Sequence, residues 1–216
     1  MSSGEYSSPA CFLHEVESGF ADAPAPSDDW ADVRLWRKAK REVLIARRLA
    51  LSPSNRAIGQ ARITKRLVAL LAETPGRLIG FYWPFKGEYD PRPLVRGLHR
   101  SGVTLALPVV VGKAQPLIFR PWWPRAPMAL GVWNIPFPTE GEAVLPDTLL
   151  VPLVGFDRSG YRLGYGGGFY DRTLAAMPAR ARTIGIGFTG AAIRTIYPQP
   201  HDIPMDRIVK IGRAHV

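Results

Sequence analysis

From Trp30 onward apolar residues recur at steps of three or four, as Leu35, Ala39, Val43, Ala46 and Ala50, with Arg and Lys between them. That spacing predicts a helix, and Asp28 or Asp29 can cap its start. Ser52-Pro53 reads as a cap followed by proline at the first helical position. A second helix is predicted from Pro53 to about Ala72, carrying Ile58, Ala61, Leu67, Leu70 and Leu71 and ended by Thr74-Pro75-Gly76. Strands and helices then alternate. Strands are predicted over 78–83, 103–111, 117–122, 149–156 and 183–188, with helices over 91–100 and 168–177. The third strand can pair antiparallel with its neighbour. The fourth is continuously apolar, as a buried parallel strand should be. Strand–helix alternation predicts an α/β fold, a mostly parallel sheet with helices on both faces. No internal repeat is visible.

Length and composition fit one folded domain plus a tail. The chain has 216 residues, 46% apolar and 21% charged, enough to bury a core without staples. Residues 1–29 are rich in Ser, Pro, Ala and Asp without a lasting period and are expected to form an acidic tail, mobile or loosely docked. Phe12 and Leu13 are its sticky patch; Cys11 and His14 alone do not make a metal site. The single cysteine excludes an intramolecular disulfide framework. Six acids and no Lys or Arg lie in residues 1–30, so residues 31–216 hold 28 basic against 12 acidic residues, a net +16. A field of that sign attracts phosphates, carboxylates or nucleic acid. No basic start followed by an apolar run and no membrane-length apolar stretch occur, so a cytoplasmic location and no membrane partner are expected. The last six residues, 211–216, fit nothing before them and are expected to be a non-native tail, which leaves a domain over 30–210.

One segment concentrates candidate chemistry. Val154 to Arg172 runs as a buried strand, a turn at Ser159-Gly160, a glycine loop and a helix start. Gly164, Gly166, Gly167 and Gly168 let backbone N–H groups converge on an anion without side-chain clash. The helix that follows adds its positive N-terminal end. Arg162 and Arg172 flank the loop with permanent charge. Tyr165, Phe169 and Tyr170 offer flat faces to an aromatic ligand, and Asp171 is a hard oxygen ligand suited to Mg²⁺ beside phosphates. A glycine-rich hairpin is the competing reading, but the flanking arginines, aromatics and Asp171 favour a nucleotide site. The spacing is neither that of a Walker loop nor that of a Rossmann fingerprint.

The segment Arg162 to Arg172 resembles the signature of the 5-formyltetrahydrofolate cyclo-ligase family, also called methenyltetrahydrofolate synthetases. Three more matches follow the family's order: Gly87-Glu88-Tyr89-Asp90, Trp133-Asn134-Ile135-Pro136 and His201-Asp202-Ile203-Pro204-Met205-Asp206. The basic helix from Arg37 to Arg48 resembles the family's N-terminal helix. The resemblance spans about residues 34–210 and rests on the four motifs together.

The resemblance implies a three-layer α/β/α sandwich of the sugar-phosphate isomerase/CoA-transferase type. It implies ATP-dependent closure of 5-formyltetrahydrofolate to 5,10-methenyltetrahydrofolate with Mg²⁺: the formyl oxygen attacks the γ-phosphorus, N10 then attacks the activated carbon, and phosphate leaves. It assigns ATP contacts to Arg37 and Arg41, with Lys38 as the alternative to Arg37, and to the loop Arg162, Leu163, Gly164, Tyr165, Gly166, Gly167, Gly168, Phe169 and Tyr170. Spacing i,i+4 puts Arg37 and Arg41 on one helical face; Arg47 and Arg48 are expected to form a solvated basic face. Arg162 and Tyr165 are the expected catalytic pair. Glu88, Trp133, Trp83, Tyr165 and Phe169 would contact the folate, although the chain is one residue longer near Trp83. The metal would fall to Asp171 and Asp206. Competing readings are a surface turn for Glu88, a buried core Trp133 and a turn or cap Asp206. The basic body suits ATP and folates bearing glutamate tails. Two other functions stay open on sequence: a same-fold paralogue with different small-molecule chemistry, and a basic nucleic-acid-binding module.

Overall fold

A computed structural model describes residues 25, 27, 29–73 and 77–210. Residues 1–24, 26, 28, 74–76 and 211–216 lie outside the described residues, and with them nearly all of the expected acidic tail, the expected helix end at 74–76 and the expected non-native tail. The chain divides into two compact units, residues 1–36 and 37–216. In the first, the described residues begin helix α1 (Trp30–Leu49). The Ala31 N–H donates to Asp29 Oδ1 at 2.8 Å, so Asp29 is the cap.

The second unit holds the rest of α1, then α2 (Pro53–Glu73), β1 (Leu78–Gly80), α3 (Arg92–Arg100), β2 (Thr104–Val109), β3 (Ile118–Trp122), β4 (Met128–Leu130), β5 (Pro136–Pro138), β6 (Thr148–Pro152), β7 (Gly155–Phe156), β8 (Arg162–Leu163), α4 (Phe169–Ala176), β9 (Arg182–Gly187) and β10 (Arg207–Lys210). Six strands form one sheet in the order β10-β9-β6-β1-β2-β3. Five run parallel, with Ile79 opposite both Leu105 and Thr148, and Leu150 opposite Ile184. β3 is the antiparallel edge, Leu107 facing Arg120.

Side-chain alternation along the strands sorts the core into two faces. Leu105, Leu107, Leu150 and Ile184 pack with Ile63, Leu67 and Leu71 of α2 and with Leu94 and Val95 of α3. Ala106, Leu149 and Val151 point the other way, where Phe169, Tyr170 and Leu174 from the α4 segment cover them. The unit is therefore three layers, helices over both faces of a mostly parallel sheet, as the strand–helix alternation predicts.

Three local readings change. On α1 the predicted stripe is outward: Leu35, Ala39, Val43 and Ala46 are exposed, while Arg37, Leu44 and Arg48 are buried. Buried carbonyls and carboxylates, rather than apolar neighbours, receive these arginines, and no apolar periodicity can reveal that. On α2, Ile58 and Ala61 are exposed and the inward stripe is Gly59, Ile63, Leu67 and Leu71. The predicted strand 149–156 is two strands. After β6 the Val154 N–H turns to the Leu163 carbonyl at 2.8 Å, and β7 pairs antiparallel with β8 outside the main sheet.

Chain order places the site. From β1 the sheet grows to one side through β2 and β3, and to the other through β6, β9 and β10. The reversal lies between β1 and β6, and ligands in open α/β sheets gather at the carboxyl ends of the strands flanking such a reversal. β1 leads there into residues 81–89, and β6 into β7, β8 and the glycine loop.

Candidate active site

The loop after β1 carries Glu88, which is buried rather than part of a surface turn. Its Oε2 accepts the Phe85 N–H at 2.9 Å and its Oε1 the Tyr165 hydroxyl at 2.7 Å. Burial pushes the Glu88 carboxyl up to about 7, against the opposing pull of those two donors and of Arg48. The same burial, with the Glu88 charge, raises the Tyr165 phenol, so it stays protonated. Arg48 closes the arrangement from α1. Its Nη2 donates to the Tyr165 oxygen at 2.6 Å, its Nε to the Lys86 carbonyl at 2.9 Å and its Nη1 to the Leu153 carbonyl at 3.1 Å.

Three rings form a cup beside this chain. Trp133 stacks on Phe85 with centroids 5.9 Å apart and planes 9° off parallel. Tyr165 closes the third side, 5.7 Å from Phe85 and 6.2 Å from Trp133. Trp133 is 53% exposed, so it is not a core tryptophan, and its left-handed backbone (φ +58°) presents it to solvent. An exposed flat ring with a second ring behind it is built to receive another planar group.

The glycine loop borders the cup. Gly166 has φ +94° and Gly168 φ +61°, the latter as N-cap of α4, so both backbone positions favour glycine. Arg41 Nε donates to the Gly164 carbonyl at 2.7 Å, and a Cβ on Gly166 would meet the Arg41 guanidinium at 3.3 Å. Arg172 lies over the Phe169 ring at 5.4 Å, bonds to the Gly167 carbonyl and leaves its buried Nε without a partner among the described residues. Burial, then the Arg37 charge, lowers Arg41, yet a guanidinium stays charged. Neither Arg41 nor Arg172 has a carboxylate partner among the described residues.

The other predicted residues are disposed differently. Arg37 is buried and committed to Asp202 at 2.5 Å and to the Ile196 and Tyr197 carbonyls. Arg162 pairs with Asp171 Oδ1 at 2.9 Å and donates to the Ile203 carbonyl at 2.8 Å. Asp171 Oδ1 also accepts the Ile203 N–H, so these two ion pairs clasp residues 202–203 against α1 and α4. Lys38 is exposed. Leu163 is in the core and leaves only backbone to a ligand. Trp83 is half-buried under the Arg92 guanidinium, 5.0 Å from its ring. Tyr170 faces Arg162 at 5.9 Å. Asp206 has both oxygens engaged, Oδ2 by the Thr183 N–H at 2.7 Å and its hydroxyl at 2.9 Å, Oδ1 by Arg180. Among the described residues no three His, Cys, Asp or Glu side chains cluster as a preformed metal site. Sequence reasoning missed Phe85, Asp202 and the burial of Arg48; the last is in principle visible as a third arginine, seven residues after Arg41 on the same helical face.

A sequence model of the 5-formyltetrahydrofolate cyclo-ligase family matches residues 33–211. The chain belongs to that family. The 5-formyltetrahydrofolate cyclo-ligase of Escherichia coli (strain K12) is 32% identical over 174 residues, which cover 76% of this chain and 93% of the relative. Two solved structures of methenyltetrahydrofolate synthetases share the fold. That from Mycoplasma pneumoniae has a TM-score of 0.67 at 26% identity, covering 80% of this chain and 97% of the other. That from Aquifex aeolicus has a TM-score of 0.67 at 28% identity, covering 83% and 96%. As a member of the cyclo-ligase family the protein is a ligase, and Glu88, Trp133 and the 162–172 loop all lie within the matched span.

Proposed function

We propose that the protein converts 5-formyltetrahydrofolate to 5,10-methenyltetrahydrofolate at the expense of ATP, releasing ADP and phosphate, in the cytoplasm. The observation that carries the reading is the junction of two half-sites at the sheet's reversal: an aromatic cup with a buried carboxyl, and a glycine loop edged by two arginines that have no carboxylate partner among the described residues. The pterin would stack on Trp133 and give its N–H groups to Glu88. The triphosphate would lie on the N–H groups of 164–168, with Arg41 and Arg172 balancing its charge. An amide oxygen leaves poorly. Attack of the formyl oxygen on the γ-phosphorus, with ADP departing, converts it into a phosphate leaving group, and N10 then closes the ring. Such phosphoryl transfer depends on positioning and charge neutralisation more than on an acid–base pair.

The donor set bears on Mg²⁺. This cation takes one or two carboxylates together with nucleotide phosphates and water. Among the described residues Asp171 uses only Oδ1, for Arg162 and Ile203, so its Oδ2 fits that role, whereas both oxygens of Asp206 are engaged. The cation would enter with the nucleotide and neutralise its phosphates. The net +16 over residues 31–216 favours folates carrying glutamate tails. Among the described residues no helix is long and apolar enough to cross a membrane.

The test is absorbance of the 5,10-methenyl product after adding 5-formyltetrahydrofolate and Mg·ATP to the purified protein. Product formation that requires both substrates is expected; a folded protein that makes none overturns the reading.

A further inference from the structure

Arg48, Tyr165 and Glu88 come from α1, the glycine loop and the loop after β1, yet form one chain of hydrogen bonds. Its direction is fixed by chemistry. A guanidinium only donates, so at 2.6 Å the Tyr165 oxygen must accept from Arg48. The phenol has a single proton left to give. Glu88 Oε1 takes it at 2.7 Å, since the competing Phe85 carbonyl lies 3.5 Å away. Glu88 Oε2 accepts the Phe85 N–H. Both carboxyl oxygens are thus acceptors toward the protein. Two further donors of Arg48 tie the Lys86 and Leu153 carbonyls, so one buried side chain fastens the segments that follow β1 and β6.

We propose that Arg48 is a positioning residue for the cyclisation: by donating to Tyr165 it sets the phenol as a donor to Glu88, locks the Tyr165 ring as a wall of the folate cup, and leaves Glu88 only its remaining lone pairs for the ligand. The ligand assignment rests on the cyclo-ligase reading; the relay does not. The other ionisable groups acting on Glu88 are Tyr82 after β1 and Tyr170 on α4, both held neutral by burial. Lys86 on the same loop is exposed and lies over the Phe85 ring. Arg48 is therefore the buried cation acting on Glu88.

The relay can be read without turnover. Glutamate labelled at Cδ and followed by NMR reports the Glu88 carboxyl, its resonance identified by its loss in E88Q. R48M and Y165F should each raise the Glu88 midpoint by about one pH unit, the size expected for loss of one charge-assisted hydrogen bond. The effect of R48M should shrink in the Y165F background. An unmoved midpoint in Y165F, or equal R48M shifts in both backgrounds, overturns the proposal. Should R48M not fold by circular dichroism, R48K keeps the charge without the three-way fork and should give an intermediate rise; a midpoint unchanged in R48K and in Y165F overturns it equally. In the absorbance assay R48K should raise KM for the folate about tenfold and KM for ATP by less, and a KM for ATP raised as much as that for the folate would contradict a role through the folate cup. Failure of the wild type to form the chromophore refutes the cyclo-ligase reading while leaving the NMR result to judge the relay.

Discussion

Burying Glu88 has a cost that depends on pH, and its size follows from the site. The carboxyl titrates near 7 in the fold against about 4.5 when exposed. The folded protein therefore binds a proton more tightly than the unfolded chain, and stability falls as pH rises between those two midpoints. The interval of about 2.5 pH units corresponds to ~3 kcal/mol, present below about pH 4.5 and lost above about pH 7. E88Q removes this dependence. Glutamine offers one oxygen and one NH₂ group where the site presents two donors, Tyr165 and the Phe85 N–H, so E88Q carries a penalty of ~1–3 kcal/mol at every pH. The constant penalty cancels when only the pH dependence is compared. Urea unfolding of both proteins from about pH 4 to about pH 8 should show E88Q gaining ~3 kcal/mol relative to wild type across the range. Parallel curves would refute the claim that Glu88 is held in a desolvated pocket, and with it the basis for its role as a buried acceptor.

Three further outcomes test other parts of the site. D202A strands the buried Arg37 guanidinium and should lower stability by ~3–5 kcal/mol in thermal or urea unfolding; a loss under about 1 kcal/mol would mean the pair is not a clasp. W133A should change stability by less than about 1 kcal/mol, because the ring is half exposed, yet raise KM for the folate about tenfold without altering that for ATP. An unchanged folate KM would remove Trp133 from the cup. D171N should raise the Mg²⁺ concentration needed for half-maximal activity, and an unaltered metal titration would count against Asp171 as a ligand.

Five of the six sheet strands were legible because they are short, apolar and separated by turn residues; β10 was not, because only two of its four residues, Ile208 and Val209, are apolar. Predicted and observed bounds of β3 and β9 differ by a single residue at each end at most. The antiparallel β2–β3 edge and the glycine turn into α4 were equally visible. The outer faces of α1 and α2 were not. Arg48 and Arg37 sit inside because main-chain carbonyls at Lys86, Leu153, Ile196 and Tyr197 await them, and such partners leave no mark in side-chain periodicity. The hairpin β4–β5 left little mark because two of the three β5 residues are proline and its ladder is three residues long. At the site, residue types announced the glycine loop and Glu88. Which arginine is spent on a carboxylate and which faces the loop depends on tertiary pairing, as in Arg37 with Asp202, 165 residues apart.

The most direct test is a crystal structure of the protein with a non-hydrolysable ATP analogue and 5-formyltetrahydrofolate. The phosphates should sit on the N–H groups of residues 164–168 with Arg41 and Arg172 within hydrogen-bond reach, and the pterin should lie on Trp133 with Glu88 accepting from its ring. A nucleotide bound away from that loop, or a pterin outside the three-ring cup, would contradict the account.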